Sequence, residues 1–362
     1  MLYEQEQWLA DIDSVLTVVP ELEELSGKNI LITGAAGLIC SAVVDVLLRY
    51  NNRRDAGIKI LAAGRSFDRM RARFGEMVDS VDFEFVYYDA THPFIAARDH
   101  ADYIIHGAGN SFPALVMKEP VETMFGNVVG MKTVLDYARV TESKRVLYIS
   151  SSEVYGRKEN ENPYGEDEYG YIDLLNPRNS YSVSKRAAET LCVSYAAEYG
   201  VDSVIVRPGH VYGPTASSRD SRVSSAWVYD AARGRDIVMK SDGSQKRSYC
   251  YCLDCASAII KVLLRGQSLH AYNISNPSSI ISIKEMAELL TKLSGTRLKL
   301  ELPTDSEKRG FTPMKNSSLE SDSLAGLGWR GCFDAETGFE HTLRLTRDEL
   351  KGTESSLFHF LR

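Results

Sequence analysis

The chain has 362 residues, of which 44% are hydrophobic and 25% charged, and its formal net charge is −7. This length predicts two domains, or one enlarged domain, with a core large enough to fold without a metal or a disulfide. The acidic balance excludes a general nucleic-acid binder, which needs a clustered basic surface. No apolar run approaches the roughly 20 residues of a membrane-spanning helix.

The six cysteines are typical of reduced thiols in a cytoplasmic protein, and the acidic, amphipathic N-terminus differs from a secretory signal. Cys250, Cys252 and Cys255 have part of a metal-site spacing, but no fourth Cys or His follows at the distance that a structural zinc site needs. We therefore predict a cytoplasmic protein without a bound metal and assign these cysteines to packing.

In chain order, residues 1–26 predict a helical arm, and the chain from Lys28 alternates strands with helices. Apolar, β-branched runs predict strands beginning at Lys28 and at 58–63, 83–88, 103–105, 145–150 and 203–206. Such alternation predicts right-handed crossovers and an α/β fold with a parallel sheet covered on both faces. After Pro208 the pattern changes to a Gly/Ser/Arg-rich loop and a helix opened by a capping box, Ser282 to Glu285.

A glycine-rich turn, Gly34-Ala-Ala-Gly37, follows the first strand and opens a helix. Glycine lets the backbone turn tightly, and the free N–H groups and dipole of a helix N-terminus favour an anion such as a pyrophosphate. Cys40 stands where dinucleotide-binding turns usually have a third glycine, a position that serves helix–strand packing. An ordinary strand–helix turn is the alternative. The residues assigned to a dinucleotide here are Gly34, Ala36, Gly37, Leu38 and Ile39.

The end of the second strand carries Arg65 and Ser66, where NAD-specific proteins usually place a carboxylate against the ribose 2′-hydroxyl. A guanidinium beside a hydroxyl suits a 2′-phosphate, so NADP is an option beside NAD. A solvated surface side chain is the alternative for Arg65. Asp89, after the third strand, is predicted to accept a hydrogen bond from an adenine amino group.

Tyr181 and Lys185 are spaced i, i+4 on a predicted helix, which places the ammonium group near the phenol. A nearby cation lowers the pKa of a tyrosine and makes its phenolate available as a base near neutral pH. About thirty residues earlier a strand ends in Ser150-Ser151-Ser152-Glu153, and strand ends in a doubly wound sheet deliver side chains to the ligand crevice. Together these features predict an active site.

With these residues the sequence resembles the extended short-chain dehydrogenase/reductases, and among them the nucleotide-sugar epimerases, dehydratases and decarboxylases. Only residues 1–26 and the last dozen lie outside the resemblance. The matching motifs are TGAAGLI (33–39), Asp89, HGAG (106–109), Asn127, SSSEVYG (150–156), NSYSVSK (179–185), RPGHVYGP (207–214), DGSQKRSYCYCLD (242–254) and LGW (327–329). The resemblance implies a Rossmann-type doubly wound parallel sheet with a smaller α+β substrate-binding domain.

We expect the Rossmann-type domain over 27–210 with about 251–276, the substrate-binding domain over 211–250 and 277–350, and a tail over 351–362. The resemblance also implies a retained NAD or NADP. Its implied further contacts in this chain are Ala108, Asn127, Tyr181, Lys185 and Pro208.

The resemblance implies a mechanism as well. Tyr181 removes the proton of the sugar C4 hydroxyl while the C4 hydride passes to the nicotinamide; Ser151 hydrogen-bonds the same oxygen, and Lys185 holds the cofactor ribose and tunes Tyr181. The resulting 4-keto group acidifies C5 and turns a C5 carboxylate into a β-keto acid. The sugar then loses water, loses CO₂, or is re-reduced as an epimer.

Glu153 bears on the reaction branch, because it is a second acid/base that simple 4-epimerases generally lack. The Ser-Ser-Glu triplet resembles the Thr-Ser-Glu of UDP-glucuronate decarboxylases and GDP-mannose 4,6-dehydratases. The segment KRSYCYCLD is closer to the decarboxylases and to dTDP-glucose-type dehydratases. Arg65 instead favours the dehydratase that uses NADP. We predict a decarboxylase or a 4,6-dehydratase. The alternatives are an NADPH-dependent 4-ketoreductase, a 4-epimerase, a non-catalytic dinucleotide-binding protein and, for Glu153 itself, a merely solvated carboxylate.

The predicted partner is a nucleotide-diphosphate sugar. Arg247 matches the family position that grips the diphosphate, where a guanidinium fork suits phosphate. His210 stands where the family often has an Asn on the substrate, and His106 is predicted to be structural. The remaining predicted substrate contacts are Asn110, Ser111 and Ser152.

Two further predictions concern the surface. Arg219 and Arg222 lie in the Gly/Ser/Arg-rich loop and are assigned to solvent, with a phosphate contact as the alternative. Because family members usually pair through a helix bundle, we predict a homodimer in which an apolar helical face around 128–138 contacts the second copy. No nucleic acid and no membrane are expected as partners.

Overall fold

The computed structural model describes residues 2–97, 99–304 and 314–360. Within these ranges the strands are β1 (Asn29–Thr33), β2 (Lys59–Gly64), β3 (Phe83–Tyr87), β4 (Tyr103–His106), β5 (Arg145–Ile149), β6 (Ser203–Pro208), β7 (His210–Tyr212), β8 (Ile237–Met239), β9 (Lys246–Tyr251), β10 (Ala271–Ile274), β11 (Ile280–Ser282), β12 (Leu298–Leu300) and β13 (Asn316–Ser317). The helices are α1 (Glu6–Leu16), α2 (Leu38–Arg54), α3 (Phe67–Phe74), α4 (Pro113–Lys118), α5 (Pro120–Val140), α6 (Ser180–Tyr199), α7 (Val223–Ala232), α8 (Cys252–Arg265), α9 (Ile283–Ser294), α10 (Asp322–Gly326) and α11 (Ala335–Phe360).

Seven strands form one parallel sheet in the spatial order β10-β6-β5-β4-β1-β2-β3. The order reverses between β1 and β4, and in such sheets ligands bind outside the carboxyl ends of the strands at the reversal. The predicted doubly wound α/β fold is therefore confirmed. The segments that follow β1, β4, β5 and β6 all begin at this edge.

The strands form where the apolar runs predict them, with ends shifted by one or two residues. The run 58–63 becomes Lys59–Gly64, and the last of the six predicted strands extends to Pro208. The capping box is present, because the backbone N–H of Glu285 donates to Ser282 Oγ at 3.1 Å and that of Ser282 donates to Glu285 Oε2 at 2.7 Å.

Both faces of the large sheet are buried, because successive side chains of a strand point to opposite faces. In β1, Ile30 and Ile32 join a core that contains α2 and α8, whereas Leu31 joins a second core that contains α5 and α6. This double burial explains why the strand sequences are continuously apolar rather than alternating.

A second, smaller sheet places distant residues side by side. Its central strand β9 pairs with β7 (His210 opposite Tyr249), with β11, and with β13 (Ser317 opposite Arg247). His210, Arg247 and Ser317 are thereby gathered beside the edge where the large sheet ends, although more than a hundred residues separate the first from the last.

The N-terminal arm is helical, as predicted, and packs on the outer face of α2, α8 and α11. The indole N–H of Trp8 donates to Asp45 Oδ2 at 2.9 Å, and the Tyr251 hydroxyl donates to Asp11 Oδ2 at 2.9 Å. His341 lies 3.0 Å from Asp11 Oδ1. The arm therefore joins the second half of the chain to the helix that follows the glycine turn.

The predicted dimer face is wrong. On α5, the apolar side chains between 128 and 138 pack into the second core against the sheet and α6, because the same helix must cover the sheet; the buried ones are Met131, Val134, Leu135 and Ala138. The exposed large apolar side chains of α5 are instead Val121, Met124, Phe125 and Val140.

The cysteine segment forms a strand end and the first turn of α8, and Cys250, Cys252 and Cys255 are buried free thiols. In the part of the chain that the structure describes, no three His, Cys, Asp or Glu side chains are grouped as a metal ion would require. None of the described helices is long and apolar enough to cross a membrane.

Candidate active site

The glycine turn between β1 and α2 is built for close approach. Gly34 has φ of +71°, and a Cβ there would lie 3.0 Å from the backbone N and Cα of Ala108, so the turn contacts the chain that follows β4. Gly37 directly precedes α2. Among the described residues, no side chain caps the N–H groups of the first turn of α2. This leaves a helix N-terminus with free donors at the sheet edge, where an anion is favoured.

Cys40 takes the place of the expected third glycine without opening the turn. Its sulfur occupies the space beside Gly107, where any Cβ would collide with it. Burial raises the pKa of the Cys40 thiol to about 12, so the side chain is a neutral packing group. The glycine at position 107 thus compensates for the one missing at position 40.

Thr33 ties the ends of β1 and β4 together. Its hydroxyl oxygen accepts the N–H groups of Gly107 and Ala108, each at 3.2 Å, and lies 2.7 Å from His106 Nδ1. Burial and the neighbouring Lys185 lower the pKa of His106 to about 3, so this histidine is neutral, in agreement with its predicted structural role.

Arg65 is exposed directly after β2, at the carboxyl edge of the large sheet. Ser66 already accepts the Arg69 N–H at 3.3 Å as the cap of α3. Asp89 accepts the N–H and the hydroxyl of Thr91 at 3.0 and 2.9 Å. Although burial opposes it, these donors and the nearby Arg65 hold the pKa of the Asp89 carboxyl below its usual value.

Asn127 on α5 reaches the same crevice. Its Nδ2 donates to Thr123 O at 3.1 Å and to Ser184 Oγ at 3.0 Å, which fixes the side chain to α6. Its buried Oδ1 has no hydrogen-bond partner among the described residues, and a Cβ at Gly109 would lie 2.9 Å from this atom. A buried acceptor without a donor is costly, so this oxygen is suited to bind a ligand donor.

Lys185 is buried at the centre of the site. Its Nζ donates to Ile149 O at 2.8 Å at the end of β5, and it lies 4.7 Å from the centre of the Tyr148 ring and 5.7 Å from that of Tyr181. Burial lowers the pKa of this ammonium group to about 8, and the carboxylate of Glu189 opposes the fall.

Tyr181 does not have the lowered pKa that the sequence predicts. Burial raises the pKa of the phenol to about 12; a hydrogen bond with Ser151 and the charge of Arg222 favour the phenolate, and the charge of Glu153 opposes it. The ammonium of Lys185 is engaged by the Ile149 carbonyl instead. The prediction is wrong on this point because a spacing of four residues does not reveal desolvation.

Ser151 and Glu153 are presented by a short 3-10 turn, Ser152–Tyr155, directly after β5. Ser151 Oγ accepts the Glu153 N–H at 3.2 Å as the cap of this turn. Val154 and Tyr155 are buried, which anchors the turn and leaves the Glu153 side chain exposed on the crevice side.

The hydroxyls of Ser151 and Tyr181, the buried ammonium group of Lys185 and the glycine turn all lie at one edge of a doubly wound sheet. Residues 30–275 match the family described as "NAD dependent epimerase/dehydratase family". The chain belongs to that family. The prediction of a family enzyme is thereby confirmed.

Two curated relatives of this family enzyme span most of the chain. UDP-glucuronic acid decarboxylase 6 of Arabidopsis thaliana is 30% identical over 304 residues, which are 84% of this chain and 84% of the relative. UDP-glucuronic acid decarboxylase 1 of Xenopus tropicalis is 28% identical over 330 residues, 91% of this chain and 75% of the relative. Among solved structures, DesIV, a dTDP-glucose 4,6-dehydratase of Streptomyces venezuelae with NAD bound, shares the fold at a TM-score of 0.76 and 23% identity, covering 88% of this chain and 97% of that one.

A small pocket lies beside the Glu153 turn of the family enzyme. The residues that line it are Ser152, Glu153, Tyr164, His210, Arg247, Met314 and Ser317. Arg247 is buried, and its Nη1 donates to Ser317 Oγ at 2.8 Å. Within the described ranges no carboxylate forms an ion pair with it. A buried cation in this state suits an anionic ligand.

His210 faces the same pocket. Burial, with the charges of Arg247 and Arg222, lowers the pKa of its imidazole to about 3, so it is neutral. Its Nδ1 is buried without a hydrogen-bond partner in the described part of the chain. Pocket, histidine and arginine meet because β7 and β13 both pair with β9.

Arg222 corrects the assignment of the loop arginines. Arg219 is exposed, but Arg222 is half-buried: its Nε lies 3.0 Å from both carboxylate oxygens of Asp220, and its guanidinium lies 5.7 Å from the centre of the Phe112 ring. Its charge reaches both Tyr181 and His210. The prediction of a solvated Arg222 is wrong because Asp220 holds the side chain toward the site.

The structure also adds residues that the sequence reasoning missed. Tyr164 and Ser317 line the pocket but belong to no motif, and only their pairing with distant segments reveals them. Asn110 is half-buried and Ser111 exposed, and neither is among the residues that line this pocket. Pro208 ends β6 at the same sheet edge as the glycine turn.

Proposed function

We propose that this family enzyme converts a nucleotide-diphosphate sugar through a 4-keto intermediate, and that its reaction is the decarboxylation of a UDP-glucuronate-like substrate. The observation that carries the proposal is the meeting of Ser151, Tyr181 and Lys185 with an exposed Glu153 and a buried Arg247 at one crevice. The relatives named as UDP-glucuronic acid decarboxylases support this branch, because they extend over most of the chain.

The residues of the crevice fit a dinucleotide. The uncapped N-terminus of α2, approached over Gly34 and Gly37, suits a pyrophosphate, and Asn127 Oδ1 offers an acceptor. Asp89 would receive the adenine amino group, and Lys185 would hold the nicotinamide ribose. When bound, the nicotinamide takes a hydride from a carbinol carbon and returns it.

NADP is favoured over NAD by one observation. Arg65 is exposed at the end of β2, and neither it nor its neighbours Gly64 and Ser66 supply the carboxylate that usually accepts a ribose 2′-hydroxyl. Asp89 opposes this choice, because its negative charge lies close to the same guanidinium. Mass spectrometry of the cofactor released from the purified protein distinguishes the two.

In the proposed reaction, several protein groups act on the hydroxyl group at C4 of the sugar. Tyr181 accepts the hydroxyl proton as its phenolate, Ser151 donates a hydrogen bond to the same oxygen, and the cationic groups of Lys185 and Arg222 stabilise the charge that develops. Burial raises the pKa of Tyr181 to about 12, and the hydrogen bond with Ser151 and the charge of Arg222 lower it only in part, so the phenolate is the minor form near neutral pH.

The proposed decarboxylation follows from the 4-keto group. The C5–carboxylate bond breaks, CO₂ leaves, and the electron pair remains on C5 as an enolate that the adjacent carbonyl stabilises. C5 is then protonated, and the carbonyl is reduced again. Arg247 is suited to orient an anionic group of the substrate in this sequence, since a guanidinium fork matches carboxylate and phosphate equally well.

A 4,6-dehydration is the second candidate, and Glu153 is the observation that favours it. This carboxylate is exposed at the crevice and close enough to Tyr181 to raise the pKa of the phenol. Such a group can remove the C5 proton while water leaves from C6. Because Glu153 is exposed, it can take up a proton from water and deliver that proton to C5 after loss of CO₂.

The test is to incubate the purified protein separately with UDP-glucuronate, GDP-mannose and dTDP-glucose and to follow product masses. Loss of CO₂ from UDP-glucuronate is expected. Loss of water from one of the other sugars selects the dehydratase, and an isomer of unchanged mass selects an epimerase. Stoichiometric consumption of NADPH in a separate incubation with a 4-keto nucleotide sugar selects a 4-ketoreductase. Bound cofactor without turnover of any nucleotide sugar overturns the proposal in favour of a binding protein.

We further propose a homodimer formed by α5 and α6, and the two-domain division expected from the sequence. Exposed apolar side chains on these helices support the pairing: Val121, Met124, Phe125, Val193 and Tyr199. Light scattering of the wild-type chain and of a Met124→Glu, Phe125→Glu variant tests it. A wild-type monomer, or a variant that remains dimeric, contradicts this surface.

A further inference from the structure

Glu189 is a buried carboxylate that none of the roles above uses. It lies on α6, one turn beyond Lys185 and two turns beyond Tyr181, so the three side chains share one face of the helix. Only 8% of Glu189 is exposed. A carboxylate this deep is retained only when its charge and its lone pairs are satisfied.

Two partners satisfy it. Arg207 on β6 donates from Nε to Glu189 Oε1 at 3.0 Å and from Nη2 to Oε2 at 2.7 Å, a bidentate pair. The hydroxyl of Ser150 donates to the same Oε1 at 2.5 Å. Ser150 is the residue before Ser151, so one carboxylate connects the helix of Tyr181 directly to the strand end that presents the catalytic serine.

The contacts continue into the Glu153 turn. Arg207 Nη1 lies 3.1 Å from the hydroxyl of Tyr155, the last residue of that turn, and the Tyr155 hydroxyl donates to Asn273 Oδ1 at 2.6 Å. Arg186 donates to the carbonyls of Val154 and Tyr155 at 2.6 and 3.1 Å. Both ends of the 150–155 segment are therefore fastened to α6, β6 and β10 through Glu189 and its neighbours.

We infer that Glu189 is a positioning residue, which holds the Ser150–Tyr155 segment against the helix of Tyr181 and Lys185 and places a carboxylate one helical turn from the buried ammonium group of Lys185. The inference rests on the proposed function, since it assigns to Glu189 an effect on groups that act there. It differs from a purely structural role because it includes an electrostatic effect on one named ammonium group.

The electrostatic part follows from the surroundings of Lys185. The titratable groups that face it are Tyr148 from β5, His106 from β4, Cys40 from α2, and Tyr181 and Glu189 from its own helix. His106 is neutral, and burial keeps the Tyr148 and Cys40 groups protonated. Glu189 is thus the ionised group that opposes the fall in the pKa of Lys185.

Three variants separate charge from geometry. Glu189→Gln keeps the shape of the side chain but removes its charge, Glu189→Asp keeps the charge in a shorter side chain, and Ser150→Ala removes only the hydrogen bond. The first readout needs no turnover: an NMR titration of protein labelled with ¹³C at lysine Cε, in which the Lys185 signal is identified by its absence in Lys185→Met.

In Glu189→Gln we expect the pKa of Lys185 to fall by about one unit, because the substitution removes the opposite charge that favours the ammonium form. Ser150→Ala and Glu189→Asp should leave it unchanged, because the charge remains. An unchanged Lys185 titration in folded Glu189→Gln overturns the inference. An equal shift in all three variants also overturns it, because a general loosening of the site would then explain the result.

The second readout is turnover of UDP-glucuronate. Ser150→Ala should lower kcat about tenfold with little change in KM, because a slight misplacement of Ser151 affects the transition state more than substrate binding. If Glu189→Gln does not fold, this variant decides, and an unchanged kcat overturns the inference. A wild-type protein that converts no nucleotide sugar overturns the proposed function instead, while the lysine titration still tests Glu189.

Discussion

The proposed cofactor end and the proposed substrate end of the crevice are built in different ways. The cofactor end consists of backbone and small residues at the ends of neighbouring parallel strands: Gly34 and Gly37 after β1, and Gly107 and Ala108 after β4. The substrate end consists of large side chains brought from remote segments, such as Glu153, Arg247 and Ser317. Sheet topology alone therefore positions the first end, whereas the second depends on each individual side chain.

The largest effect is expected where the two ends meet. Tyr181→Phe removes the proton acceptor but keeps the ring in its place, so kcat should fall about 10³-fold while the retained cofactor stays bound. Product formation and cofactor content are measured on the same preparation. If the variant loses cofactor as well as activity, the two ends of the crevice are not independent at Tyr181.

The proposed substrate end should respond strongly to a single substitution at Arg247. Arg247→Met keeps most of the volume but removes the buried charge, and KM for the nucleotide sugar should rise about 10- to 100-fold, the effect of losing a hydrogen bond to a charged group. The matched control is Arg219→Met, because Arg219 is exposed and outside the pocket. Equal effects of the two substitutions would contradict the role of Arg247.

The cofactor end should respond more weakly, because side chains contribute less to it. Arg65→Ala should raise the Kd of NADP about tenfold and leave that of NAD within twofold, since only a 2′-phosphate needs the guanidinium. Calorimetric titration of protein freed of its cofactor measures both constants. A rise in the two Kd values by the same factor would contradict the assignment of Arg65.

The smallest effect lies outside both ends, at the contact between the arm and α11. The Asp11 carboxylate raises the pKa of His341, so the pair contributes stability that is fully present below the usual histidine pKa near 6.5 and is lost as pH rises through the raised value. Between pH 6 and pH 9 the Tm of the wild type should therefore fall about 2 °C more than that of His341→Gln. If the Tm values of the two proteins change in parallel with pH, the Asp11–His341 pair does not contribute to stability as predicted.

The features that arise from local sequence patterns are predicted correctly, whereas those that depend on individual side-chain contacts are not. The strands, the glycine turn and the Ser151–Tyr181–Lys185 group follow from local patterns, because parallel strands must be apolar and must end at one edge. Arg222, by contrast, is assigned to solvent from its loop, and only its pairing with Asp220 turns it toward Tyr181. Asp220 lies only two residues from Arg222, but the sequence does not reveal that the pair points toward the site rather than toward solvent.

Burial is the second quantity that local spacing does not supply. The apolar face of α5 around 128–138 indicates a helix that covers something, but not whether the sheet or a second copy is covered. In the same way, the spacing of Tyr181 and Lys185 predicts their proximity but not the desolvation that raises the pKa of the phenol. Glu189 is absent from the sequence predictions because only contacts across α6, β5 and β6 give it a role.

The docking of the N-terminal arm has a practical consequence for protein preparation. Trp8, Ile12, Leu22 and Leu25 are almost fully buried, and they cover apolar surface that would otherwise face water. Deleting the arm would also leave Asp45 without the indole donor that it now has. Shortened proteins that begin at the first strand should therefore aggregate and precipitate. Protein prepared for crystallisation or labelling should keep the arm.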